Sequence, residues 1–148
     1  MRHKVKKIKF KFGKDANKML LRKLTRNFVT HGKIRTTLAK AKVLKSAVER
    51  LVEKTKVRSE ANKNYLLKTL NDNKLVRRMF DQVGGALKDK VGGYVKIVRL
   101  GARQSDGAET AAVKWVYPVA IPEKPEEKKI KKNQKPEKAI KLVKKEQK

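Results

Sequence analysis

The sequence predicts an α+β domain, a three-stranded mixed or antiparallel sheet packed by helices, in the order helix, strand, three helices, two strands. Three observations predict it. Four segments between residues 15 and 84 place apolar residues at helical spacing, two runs after residue 93 place them at period two, and the two ends of the chain are too polar to join a core. The domain therefore spans residues 15–117, with a basic arm over 1–14 before it and a disordered, Lys/Glu/Pro-rich, low-complexity tail over 118–148 after it.

The arm holds Arg2, Lys4, Lys6, Lys7, Lys9, Lys11 and Lys14 and no acid, since Asp15 is the first carboxylate. Val5, Ile8, Phe10 and Phe12 are too sparse to bury themselves, so this segment is expected to order on its partner. A first helix starts near Asp15 or Asn17, either of which can cap, and carries Leu20, Leu21, Leu24, Phe28 and Val29 on one stripe. Gly32 ends it, because a left-handed C-cap favours glycine. Lys33-Ile34-Arg35-Thr36 reads as a strand, and Thr37 caps a second helix bearing Ala41, Leu44, Val48, Leu51 and Val52, with Lys40, Lys42 and Lys45 on its outer face.

Ser59 caps a third helix with Tyr65, Leu66, Leu67 and Leu70. Asp72 caps a fourth with Leu75, Val76, Met79, Phe80 and Val83, which Gly84-Gly85 is expected to stop. Each helix is too short to stand alone and needs the shared core. After Gly92-Gly93 the rhythm changes: Tyr94 to Leu100 is rich in β-branched residues and ends at Gly101, and Val113 to Tyr117 is a second run of the same kind. The residues between, 103–108, read as the loop of a long hairpin, which the segment around Ile34 extends to three strands. From Pro118 onward, 11 Lys and 5 Glu alternate with prolines, a composition that cannot build a core.

Charge narrows the function. Of 148 residues, 42 are Lys or Arg and 14 are Asp or Glu, a formal net charge of +28. Such a one-signed surface repels itself unless a polyanion neutralises it, and cations placed against phosphates release condensed counterions. Nucleic acid is the partner this implies. With no cysteine and only His3 and His31, thiolate chemistry and a His-rich metal site are both excluded, and no metal or cofactor is expected. No phosphate-cradling glycine loop, zinc-helix motif or nucleophile elbow occurs, so no enzymatic role and no small-molecule substrate are expected. No apolar h-region follows Met1-Arg2-His3-Lys4 and no membrane-length apolar run exists, so the chain is expected to stay in the compartment where it is made, away from membranes. Basic amphipathic helices could also suit a membrane surface on charge alone, but their stripes are better explained as one core.

The eight aromatics fall mostly on apolar faces, which favours packing over base stacking and points to recognition of shape and backbone. Tyr94 is the exception, because Gly92-Gly93 before it lets a backbone approach closely; the same pair also reads as a plain turn into a strand.

Four stretches together resemble a known family: Met1-Arg2-His3; the string from His31 to Lys42 with Ile34-Arg35-Thr36-Thr37-Leu38-Ala39-Lys40-Ala41-Lys42 inside it; Gly92-Gly93-Tyr94-Val95-Lys96-Ile97; and Arg103 with Asp106 and Ala108. The chain resembles the bacterial large-subunit ribosomal proteins of family seventeen over about residues 1–117. The resemblance implies a two-layer α+β domain and a structural, non-catalytic protein on the large ribosomal RNA, in cytoplasmic ribosomes and in the region of the peptide exit side, with neighbouring ribosomal proteins beside it and no homo-oligomer. The chain departs from the family's pattern at Phe10-Lys11-Phe12-Gly13 and Ala16-Asn17, where a Gly-Arg-x-Leu-type stretch and a His-Arg pair are usual, and at Lys114-Trp115, where a Glu-Leu pair is common.

On this reading Arg2, His3, Lys4, Lys6, Lys7 and Lys9, together with Lys11 and Lys14, thread between RNA segments. Arg22, Arg26, Arg35, Lys40 and Lys42 contact phosphates beside the Thr36-Thr37 turn, where either hydroxyl can meet a phosphate or a 2′-hydroxyl. Thr37 equally serves as a helix cap and nothing more. Gly92, Gly93 and Tyr94 mark a close approach, and Lys96, Arg99 and Arg103 supply a second surface on the hairpin. The competing reading is a non-specific architectural DNA-binding protein, which shares the charge but normally shows a dimer seam or an apolar wedge on a ribbon arm. Neither is evident here.

Overall fold

The computed structural model describes Phe10 and residues 13–119. Helix α1 (Lys14–His31) leads into strand β1 (Lys33–Thr37), followed by α2 (Leu38–Thr55), α3 (Glu60–Leu70) and α4 (Asn73–Arg78), then by β2 (Val95–Ala102) and β3 (Glu109–Trp115). The architecture is the α+β order read from the sequence. The sheet is antiparallel throughout, with β3 in the centre and β1 and β2 at its edges.

Helix α2 lies against all three strands and also touches α1 and α3, which makes it the axis of the helical layer. Its stripe of Ala41, Leu44, Val48, Leu51 and Val52 is fully buried. Phe28 and Val29 come in from α1, Leu66 and Leu70 from α3, and Val76, Met79, Val83 and Leu87 from α4 and its helical continuation. The sheet contributes Val95, Ala111 and Val113, and Trp115 packs on Phe28 with ring centroids 4.7 Å apart. At about 1.5 to 3 kcal/mol for each large side chain removed from water, this single cluster is what holds the otherwise unstable segments together.

The caps explain most boundaries. Gly32 closes α1 at φ 70°, and its N–H bonds to the Phe28 carbonyl. The Ser59 hydroxyl accepts from the Asn62 N–H, and the Asp72 carboxylate accepts from both Lys74 and Leu75. Other boundaries differ from the expectation. Gly13, not Asp15 or Asn17, stands at the N-cap of α1, and no side chain caps it; the helix simply starts early. Thr37 occupies the N-cap of α2, but its hydroxyl makes no capping bond.

Gly84-Gly85 does not stop the fourth helix. α4 continues as a π-helical turn over Met79–Gly84 and regains α geometry at Gly85. The cause is packing: Gly84 is pressed against α2, where a Cβ would stand 2.7 Å from the Thr55 carbonyl oxygen. Strand β3 begins at Glu109 rather than Val113, because Thr110, Ala111 and Ala112 pair with strands on both sides even though their small side chains give no apolar run. β2 likewise passes beyond Gly101 through an irregularity between Arg99 and Gly101, and the Thr110 hydroxyl donates to the Gly101 carbonyl at 2.9 Å. Gly101 sits at φ 89°, a conformation that glycine adopts without strain.

Candidate nucleic-acid interface

The register of the sheet decides which cations share a face. Side chains alternate along a strand, and the rung Ile34–Val113–Ile97 faces the helices. The rungs on either side of it therefore face away from them. One is Lys33–Lys114–Lys96 and the other is Arg35–Ala112–Val98. Lys33, Lys96, Lys114 and Arg35 are all exposed.

The sequence-derived candidates divide into several groups. Arg35 and Lys96 lie on this outward face. Arg99 does not join them: its register partner is Ala111, which puts it on the helix side of the sheet, exposed next to the bulge. Arg103 stands in the hairpin loop, its guanidinium paired with Asp106 through Nε at 2.8 Å and through a second nitrogen. The three hairpin cations thus form no single surface.

Around the start of α2, Thr36 and Thr37 are half-buried, Lys40 is half-buried and Lys42 is exposed. Thr37, Leu38, Ala39 and Lys42 line a shallow groove with Ala108 and Glu109 of the hairpin. Thr37 itself gives the first N–H groups of α2 no side-chain cap.

Arg22 and Arg26 are engaged within the fold. Arg22 donates to the carbonyls of Lys68 (3.1 Å) and Thr69 (3.2 Å), satisfying the C-terminal end of α3, and Arg26 pairs with Asp72 at 3.0 Å. Burial pushes the Asp72 carboxyl up, but the N–H groups of Leu75 and Lys74 and the adjacent Arg26 outweigh it and hold it below its ordinary value. Both arginines act first as clamps between α1 and the α3–α4 junction. The half-exposed Arg26 also lines an open groove with Lys23, Asn27 and Thr30.

Tyr94, expected at a close approach to nucleic acid, lies in the core instead of on the surface. It is 1% exposed, and its ring belongs to the core cluster. Its hydroxyl donates to the Glu53 carboxylate, lies 3.0 Å from the Lys90 carbonyl and accepts from the Gly92 N–H at 2.9 Å. Lys56 completes the network, reaching Glu53 at 3.2 Å and the Lys90 carbonyl at 2.7 Å, with its ammonium 5.0 Å from the Tyr94 ring centre. The Tyr94 hydroxyl, helped by Lys56, holds the Glu53 carboxyl below its usual range; the same hydroxyl, with Glu53, raises Lys56. Gly92 and Gly93, at φ 78° and 65°, form the turn that this network ties to the end of α2.

Lys14 is exposed at the first turn of α1. Arg2, His3, Lys4, Lys6, Lys7, Lys9 and Lys11 lie outside the described residues, as does the chain beyond residue 119. Among the described residues no cluster of His, Cys, Asp or Glu is placed to hold a metal ion, and no helix is long and apolar enough to cross a membrane. Lys33 and Lys114 were not among the sequence-derived candidates. Only the strand register, which brings together residues far apart in the chain, reveals them.

A family model described as ribosomal protein L17 matches residues 20–116. The chain belongs to the ribosomal protein L17 family. Among the curated L17 relatives, the large ribosomal subunit protein bL17 of Rubrobacter xylanophilus is 38% identical over 108 residues, covering 72% of this chain and 89% of the relative. The protein of the same name from Rickettsia bellii is 37% identical over 116 residues (78% and 82%), and that of Thermotoga maritima 36% over 124 (78% and 95%). The L17 match reaches every element from α1 to β3, so the family's domain and the described fold coincide.

Proposed function

We propose that this L17-family chain is a structural component of the large subunit of a bacterial ribosome, in the cytoplasm, and that it binds and bridges large-subunit ribosomal RNA beside neighbouring ribosomal proteins. The observation that carries the reading is the family membership, whose relatives bear the name large ribosomal subunit protein. A formal charge of +28 supports it, an excess of cations that remains after every carboxylate in the chain has been counted against one. Cations stand on the outward sheet face at Arg35 and Lys96, beside the start of α2 at Lys40 and Lys42, and along the arm from Arg2 to Lys14. Cations on several sides suit a protein embedded between RNA segments, where each phosphate contact adds counterion release and rigidity. The role needs no catalytic group.

Sedimentation of a cell extract at low magnesium, where the subunits separate, tests this. The protein is expected to migrate with the large subunit and to stay there at moderate salt. Migration with DNA would favour the architectural DNA-binding alternative, and migration free at the top of the gradient would overturn the ribosomal reading.

A further inference from the structure

We infer that the outward face of the sheet is a seat for an RNA phosphate backbone, held by the transverse lysine row Lys33–Lys114–Lys96; this rests on the RNA-binding reading above. The three residues are direct register partners on β1, β3 and β2, and all three are exposed. With neighbouring strands about 4.8 Å apart, their backbones lie within about 10 Å of one another. Like charges directly opposite on neighbouring strands destabilise a sheet, and here two such pairs share the central lysine. Among the described residues no carboxylate is paired with them. The ion pairs among the described residues lie on the helices, at their junctions or in the hairpin loop, and none includes a lysine of this row.

The rest of the face fits a backbone rather than bases. Arg35 extends the positive charge by one rung, Ala112 in the middle of that rung carries only a methyl group, and Val98 ends it as an exposed apolar side chain. No outward position on the three strands holds an aromatic residue, so nothing here can stack on a base. Lysine supplies a point charge with rotatable donors, suited to phosphates whose spacing is not fixed in advance. The repulsion stored in the row is relieved when phosphates dock, so the same residues that weaken the free protein strengthen the complex.

The full-length chain and a variant carrying Lys33→Gln, Lys96→Gln and Lys114→Gln are compared for binding to purified large-subunit ribosomal RNA over a range of salt. A second variant with Lys68→Gln, Lys74→Gln and Lys88→Gln removes the same charge from the helical layer. The expected result has two parts. The sheet variant's log affinity against log salt loses about 2 in slope, at ~0.7 per phosphate released, while the helical-layer variant loses clearly less. In the absence of RNA the sheet variant also melts at a higher temperature than the parent. Equal slopes for the two variants, or an unchanged slope for the sheet variant, would overturn the seat while leaving RNA binding intact. A sheet variant that binds RNA like the parent but fails to enter large subunits would assign the face to a protein neighbour instead. If the parent itself does not bind the RNA, the underlying reading fails first.

Discussion

Gly84 and the Thr55 carbonyl are in such close approach that the two helices carrying them meet backbone to backbone: a Cβ on Gly84 would stand 2.7 Å from that oxygen. The contact lies inside the π-helical turn, and Thr55 is itself buried, its hydroxyl donating to the Val52 carbonyl at 2.7 Å. Backbone cannot move aside as a side chain can.

Gly84→Ala is therefore expected to destabilise the protein by about 1 to 3 kcal/mol, the usual cost of forcing an extra carbon into a filled site. Its neighbour behaves oppositely. Gly85 has helical φ and ψ of −63° and −48° and open space where its Cβ would be, so Gly85→Ala should stabilise by about 0.4 to 1 kcal/mol through the unfolded chain. Urea denaturation of both variants checks the pair, and a destabilising Gly85→Ala would show that the glycine serves something other than backbone freedom.

Tyr94→Phe removes one oxygen from a buried ring and leaves the Gly92 N–H without its acceptor. Stability should fall by about 0.5 to 1.5 kcal/mol, the net worth of a hydrogen bond whose remaining partner is only half-buried. Affinity for RNA, measured at a temperature where the variant is fully folded, should not change. A selective loss of RNA affinity in a stable variant would return Tyr94 to the interface.

The hairpin loop should respond to acid. The Arg103 guanidinium, then the Ala108 N–H, hold the Asp106 carboxyl down to about 2 from an ordinary 3.8. A depressed folded value means that the carboxylate's contribution to loop order is complete above the unfolded value and is lost as pH falls from about 4 through about 2. Carboxyl-carbon NMR should place the Asp106 midpoint near the lower end of that window, and Arg103→Ala should move it back up toward the ordinary value. An Asp106 that titrates normally in the parent would mean that the loop clamp does not persist in solution.

What the sequence made legible was local. The stripe through Leu44, Val48 and Leu51, the left-handed glycine at 32, and the caps at Ser59 and Asp72 each depend on residues within a turn or two of one another, and all stand where the pattern puts them. What it concealed was non-local. Arg22 looks like a free helix-surface cation until α3, 46 residues away, brings its terminal carbonyls alongside. Tyr94 looks like a turn residue open to a ligand until Glu53 takes its hydroxyl. Lys114 looks like one more cation in a basic chain, and only the pairing with Lys33 and Lys96 gives it neighbours of the same sign.

The central position of β3 bears on how the protein is made. β1 and β2 never pair with each other; each pairs only with β3, which is the last element of the domain to be synthesised. A nascent chain that stops short of residue 109 carries both edges of a sheet and no middle, so Tyr94, Val95 and Phe28 have no strand to close over them. Helices α1 to α4 can gather locally as they are translated, but the lysine row does not exist until the final strand slides between its two partners, making this surface the last part of the domain to take shape.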